Sequence, residues 1–137
     1  MVAPPLLIAC QNGHLDVARM LLKKGAQINE ADTGGDTPLM QACKADANKA
    51  AAMVKLLLDN GALLDCCNKQ GNTPVITAVN YKNELALIEL LASFNGTPAE
   101  LAAYLDRPNN KGETARTIVR ARPFDRIETL LINYGAT

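Results

Sequence analysis

At 137 residues, 48% of them hydrophobic, the chain is one domain's worth of sequence and can bury a real core. Its 14 basic residues balance 14 acidic ones, so no bulk field recommends nucleic acid or an anionic membrane as a partner. Aromatic residues make up 4% and Trp is absent, leaving Leu, Ile, Val and Ala to build the core, a mixture that favours closely packed helices.

The first apolar run, Leu6 to Cys10, has no basic segment before it and is far too short for a signal peptide or a membrane span. It belongs to a repeating unit. "PPLLIAC" from Pro4 is followed by "TPLMQAC" from Thr37, "TPVITAV" from Thr73 and a degraded "TARTIVR" from Thr114, at spacings of 33, 36 and 41 residues. Each start is followed by a second apolar stretch with a turn signal at its end: "HLDVARMLLKKGA", "AMVKLLLDNGA", "LALIELLASFNG" and "RIETLLINYGA".

Every unit therefore reads as helix, short loop, helix, stop and connector. Thr before Pro gives an N-cap followed by proline at the first helical position, where its missing N–H is harmless. Gly25, Gly61 and Gly135 suit a left-handed C-terminal stop, and Asn95 is the residue type that substitutes for glycine there. In the second helices the polar residues form a thin stripe: Asp16, Arg19 and Lys23, then Lys55 and Asp59, then Glu89 and Ser93. So thin a stripe predicts helices covered on most sides by neighbouring copies. Asp125, Arg126, Glu128, Thr129 and Asn133 break the pattern in the last copy, as a terminal cap would. Three extra residues in "KADANKAAAM" are expected to lengthen the loop between the second unit's helices.

These units resemble ankyrin repeats, four of them, at roughly 1–31, 32–67, 68–108 and 109–137. The residues that carry the resemblance are Gly35 with Thr37 to Leu39 and Ala42, Gly71 with Thr73 and Pro74, and "NGHLDVARMLLKKGAQIN" from Asn12 to Asn29. The resemblance implies an all-α solenoid of stacked helix pairs joined by β-hairpin fingers, in a single domain whose work is binding other proteins rather than catalysis. The histidine usual after Thr-Pro-Leu is replaced by Leu7, Met40, Ile76 and Thr117, which removes its hydrogen bonding within the unit. Arg116 stands at a position that is normally a buried leucine. Leu6, Leu7 and Ile8 are too apolar for a comfortable exposed end, so further repeats are expected upstream of Met1 to Ala3 in the natural protein.

Catalytic and metal chemistry find little footing. Cys10, Cys43, Cys66 and Cys67 form no CxxC pair, and His14 is the single histidine, so neither a metal site nor a cofactor is expected. Cys10 and Cys43 fall where the family has a small buried alanine, whereas the adjacent Cys66 and Cys67 are the exposed thiols, without an activating base. Ser93 and His14 belong to different repeats, and His14 is expected to hydrogen-bond structurally at the start of a second helix. No phosphate-binding glycine motif occurs. Reduced thiols place the chain in the cytoplasm, with the nucleus or a host cytosol as alternatives.

The resemblance also implies where a partner docks, on the concave face. The finger positions are Thr33, Gly34 and Asp36, then Lys69, Gln70 and Asn72, then Asn110, Lys111 and Glu113. The first-helix ends are Gln11 and Asn12, Lys44 and Ala45, Asn80 and Tyr81, Ala121 and Arg122. Tyr81 and Arg122 are the types that most often anchor an interface. Lys44, Lys69, Lys111 and Arg122, interleaved with Asp36 and Glu113, describe a mildly basic groove for an acidic or mixed peptide. The leading reading is a monomeric, non-catalytic interaction module. The alternatives are an inhibitory subunit of an enzyme and a segment of a larger protein such as a host-directed effector.

One stretch departs from the repeat. Asn95 to Asn109 spans 14 residues where Gly25 to Asp32 and Gly61 to Asn68 each span 7. Thr97, Pro98 and Glu100 form a capping box, and Pro108 prevents continuation, so the last finger is expected to be replaced by a short extra helix reaching Leu105. Tyr104 and Leu105 would cover the apolar edge of the third and fourth repeats.

Overall fold

The computed structural model describes residues 4–121, in which eight α-helices and no strand are formed. They are α1 Pro5–Asn12, α2 Leu15–Lys23, α3 Pro38–Cys43, α4 Ala47–Asp59, α5 Pro74–Asn80, α6 Glu84–Ala92, α7 Pro98–Leu105 and α8 Ala115–Ala121. The Met1 to Ala3 connector, the Gly135 stop, Arg122 and the last copy's second helix, with Asp125 and Glu128, lie outside the described residues.

Local chemistry starts the helices where the sequence says. Thr37 and Thr73 have extended backbones, and their hydroxyls accept from the Met40 and Ile76 amides at 3.4 and 3.2 Å. Helices then pack in pairs, α1 on α2, α3 on α4 and α5 on α6, and the pairs stack: α1 on α3, α3 on α5, α5 on α8, with α2 on α4 and α4 on α6 outside them. The core between them is Leu39, Met53, Leu57, Val75, Ile76, Leu87 and Leu90, all at most 2% exposed. Ala18, Ala42, Ala78 and Ala86 are fully buried, and their small side chains let neighbouring helices approach. This is the stacked helix-pair solenoid that the repeats imply.

Several local expectations change. The three extra residues of the second unit lengthen α4, which has 13 residues against 9 in α2 and α6, and not the loop before it. Asp46 accepts from the Asn48 amide at 3.0 Å, and the alanines that follow are strong helix formers, so the surplus is absorbed as another turn. The first outer helix is not covered on most sides: Val17 and Met20 are 41% and 50% exposed, because among the described residues α2 packs chiefly against α1 and α4. Leu6 and Leu7 are buried, so of the opening apolar run only Ile8 faces out.

Gly25 and Gly61 have the left-handed stops expected of them, at φ 91° and 93°, but Asn95 does not. The third pair ends in an ordinary turn at Ser93 and Phe94, because the chain must run on into α7 instead of folding back. That helix is present as expected, with Thr97 accepting from the Glu100 amide and donating to the Glu100 carboxylate, both at 3.1 Å. It takes the place of the approach to the last finger, while the tip from Asn109 to Glu113 survives. Leu105 is buried, Tyr104 stacks against Phe94 with ring centroids 5.8 Å apart, and the Tyr104 hydroxyl donates to the Leu64 carbonyl.

Candidate partner-binding groove

The three finger tips are built by one rule. The first residue of each, Asp32, Asn68 and Asn109, accepts through its side-chain oxygen from the amides two and four residues on, at 2.9 to 3.0 Å. Its own N–H donates to the fifth residue's carbonyl, closing a tight turn. The fourth residue is glycine, and at Gly35 and Gly71 a side chain would collide with the backbone of the next finger, 2.9 Å from the Lys69 nitrogen and 2.8 Å from the Asn110 nitrogen. The fingers are thus hairpin turns without a β-ladder among the described residues.

Adjacent tips share two ties, and the second and third have one more, the Asn110 side-chain amide donating to the Lys69 carbonyl at 2.7 Å. Lys69 N–H donates to the Gly34 carbonyl at 3.0 Å and Asn110 N–H to the Gln70 carbonyl at 2.9 Å. Alongside, the Asn68 amide donates to Asp36 and the Asn109 amide to Asn72, both at 2.8 Å. The side chains at the start and end of each tip are therefore committed to holding the row of fingers together.

Between the first and second tips this row closes over itself. Asp36 is 9% exposed; one carboxylate oxygen takes the Asn68 amide, and the other lies 2.5 Å from Lys44 Nζ. Lys44 also sits over the Tyr81 ring at 5.7 Å. Burial pulls the Lys44 ammonium down, but the hydrogen bond and charge of Asp36 outweigh it and leave its pKa raised. Gln41 Nε2 donates to Asp32 at 3.0 Å, while its buried Oε1 has no protein partner among the described residues.

Between the second and third tips the geometry differs. A cavity of about 590 Å³ opens there, walled by Lys69, Gln70 and Asn72 of one finger, Asn109 to Lys111 and Glu113 of the next, and Asn80 and Ile118 from α5 and α8. Lys69 and Lys111 are exposed and make no ion pair within the described residues, so the wall carries two uncompensated cations beside one carboxylate. Apart from Glu113 and the apolar Ile118, the remaining wall is side-chain amides.

Of the sequence-derived positions, Lys69, Gln70, Asn72, Asn80, Asn110, Lys111 and Glu113 line this one groove. Asp36 and Lys44 are spent on each other, and Ala45 is buried, its carbonyl accepting from Asn83. Gln11, Asn12, Thr33 and Gly34 are exposed outside the groove, as is Tyr81 at 55%. Arg122 lies outside the described residues. Sequence reading missed Asn109 and Ile118. Asn109 was legible, since it opens its finger as Asp32 and Asn68 open theirs, but Ile118 carries no signal that separates it from a core isoleucine.

Other chemistry is muted. Burial pushes the Cys10 and Cys43 thiols up to about 12, and burial followed by Asp65 raises Cys66, so none of the three is an activated nucleophile. No disulfide links the four cysteines, and no group of three metal-ligating side chains assembles among the described residues. His14 is exposed and its imidazole makes no capping bond, contrary to expectation. The equivalent Asn83 shows why: its amide reaches back to the Cys43 and Ala45 carbonyls of the preceding pair, and His14 has no preceding pair among the described residues. Thr117, expected to lose the unit's internal bond, instead trades hydrogen bonds with Thr114 at 2.8 and 3.2 Å.

A stack of helix pairs with polar fingers along one edge defines a repeat solenoid. The family pattern "Ankyrin repeats (3 copies)" matches residues 3–62. An ankyrin repeat protein of fowlpox virus is 34% identical over 131 residues, covering 92% of this chain and 35% of that protein. The ankyrin repeat and KH domain-containing protein mask-1 of Caenorhabditis elegans is 37% identical over 93 residues, 67% of this chain and 4% of that protein. Ankyrin repeat and SOCS box protein 16 of Homo sapiens is 38% identical over 71 residues, 52% of this chain and 15% of that protein. The chain belongs to the ankyrin repeat family, whose members generally bind other proteins and generally do not catalyse. It spans at most about a third of the length of these relatives. Among the described residues no helix is long and apolar enough to cross a membrane.

Proposed function

We propose that this chain is a monomeric, non-catalytic module that binds a protein through its concave face, and that the groove between the second and third fingers takes an extended acidic segment. The observation that carries the reading is the pair of lysines without ion pairs among the described residues, Lys69 and Lys111, on the rim of a 590 Å³ groove walled mostly by amides. The amide donors of Gln70 and Asn80, which do not hold the finger row, pair with the backbone of an extended peptide, and the lysines favour carboxylates along it and speed its encounter. Glu113 sets the register by repelling an acid opposite it. Tyr81, at the edge of the same face, is the anchor candidate beside the groove, and Arg122 is the other residue of anchor type that the sequence offers. Zero net charge argues against nucleic acid as the partner, and reduced thiols support a cytoplasmic setting.

The test is selection of binding peptides from a random display library against the full chain, followed by titration of a selected peptide by fluorescence anisotropy. Enrichment of Asp and Glu, with affinity falling about tenfold or more in K69E/K111E and unchanged in K44A, supports the groove. Peptides that bind a natively folded K69E/K111E as tightly as the parent would remove it.

A further inference from the structure

Three asparagines in the chain precede glycine: Asn12, Asn60 and Asn95. Such pairs are prone to cyclisation, because the unhindered glycine nitrogen can reach the asparagine side-chain carbonyl carbon. Two of them are protected. Gly13 N–H donates to the Cys10 carbonyl at 3.3 Å and Gly61 N–H to the Leu58 carbonyl at 3.1 Å, so each attacking nitrogen is held in a helix-end turn. The Asn60 amide is held too, donating to the Leu56 carbonyl at 2.8 Å.

Asn95 is different in each respect. It is exposed in the turn between α6 and α7, and neither its side-chain amide nor the Gly96 N–H has a hydrogen-bond partner among the described residues. The glycine also leaves room for its neighbours: a β-carbon at Gly96 would meet the Phe94 ring at 2.8 Å and the Glu100 carboxylate at 3.0 Å, and one of those side chains would have to move. The susceptible pair thus sits at the entrance to α7.

We propose that Asn95 is a site of spontaneous deamidation in the native protein. The Gly96 nitrogen bonds to the Asn95 side-chain carbonyl carbon, the bond to the amide nitrogen breaks, and that nitrogen leaves as ammonia with the proton displaced from Gly96. Water, the one co-reactant, then opens the cyclic imide at either carbonyl to give an aspartyl or an isoaspartyl linkage. Either product places a carboxylate two residues ahead of the Thr97 cap, on the wall of the 570 Å³ groove that Asn95 shares with Tyr104 and Arg107. The isoaspartyl form also adds a main-chain carbon just before that cap.

The three sites make the experiment internally controlled. The full chain is incubated at neutral pH, natively and in urea, and the peptides holding Asn12, Asn60 and Asn95 are followed by mass spectrometry for a gain of one mass unit, with isoaspartyl methyltransferase labelling as a second readout. The expected result is that the native rate at Asn95 stays close to its rate in urea, while Asn12 and Asn60 are slowed about tenfold or more by the turns that hold them. N95S removes the labelling. Native slowing at Asn95 equal to that at the other two overturns the proposal.

Discussion

Lys44 reaches back along α3 to place its ammonium 2.5 Å from the carboxylate of Asp36, which holds the neighbouring finger by its other oxygen. The pair is well shielded, with side chains 23% and 13% exposed, so it is worth more than a surface ion pair. A double-mutant cycle on D36A and K44A, read by urea denaturation, is expected to give a coupling of about 1 to 2 kcal/mol. D36A alone should destabilise more than K44A, because it also strands the Asn68 amide. A coupling near zero would mean that the two residues merely lie close together.

Gly71 and Gly112 are a matched pair, with φ of 78° and 77° in the same finger position. They differ in what lies beside them: an added β-carbon at Gly71 would come within 2.8 Å of the Asn110 nitrogen, and one at Gly112 meets nothing within 4 Å among the described residues. G112A should therefore show only the left-handed strain, about 1 kcal/mol. G71A carries that strain and also drives the second and third fingers apart, for a loss larger by about 1 kcal/mol or more. Equal shifts in urea midpoint would mean that the fingers separate without resistance. A weaker peptide affinity in G71A, measured at equal folded fraction, would link the finger row to the groove.

The repeat period, the threonine caps and the helical insert were legible because each is local chemistry written in a few adjacent residues, such as Thr97, Pro98 and Glu100. Seven of the nine groove positions were legible too, since a finger's place in the period fixes which way it faces. Sequence could not show that Asp36 and Lys44 consume one another, because their meeting depends on how far a finger folds back on its helix. The exposure of Val17 and Met20 escaped for a related reason: an outer helix reads the same whether one neighbour covers it or two. Asn95 misled because the residue type permits a left-handed stop, whereas the seven-residue insertion beyond it decides the path of the chain.

Cys10 and Cys43 are fully buried inside α1 and α3, and burial lifts both thiols from 9.0 to about 12. In the unfolded chain they ionise near the lower value, so the stability linked to them is complete below pH 9.0 and is lost as pH rises toward 12. Across that window each thiol removes stability on the order of 1 kcal/mol per pH unit. Urea midpoints measured from neutral to alkaline pH should fall more steeply for the parent than for C10A/C43A. Identical pH slopes in the two proteins would show that other groups drive the alkaline loss.

Helix α7 has eight residues, too few to persist on its own, so its stability must come from its cap and its packing. Thr97 supplies the cap, Leu105 enters the core at 1% exposure, and Arg107 donates to the Asp65 carbonyl at 3.1 Å beside the Tyr104 bond to Leu64. These anchors join the insert to the connector that leads into the second finger. L105A is expected to cost about 2 to 5 kcal/mol by leaving a cavity, and T97A about 1 kcal/mol by orphaning the Glu100 amide. Hydrogen exchange separates their consequences. T97A should speed exchange at the start of α7 alone, whereas L105A should also loosen residues around Leu64, because the helix no longer holds that connector in place. If L105A left exchange there unchanged, α7 would be an appendage to the stack and not one of its supports.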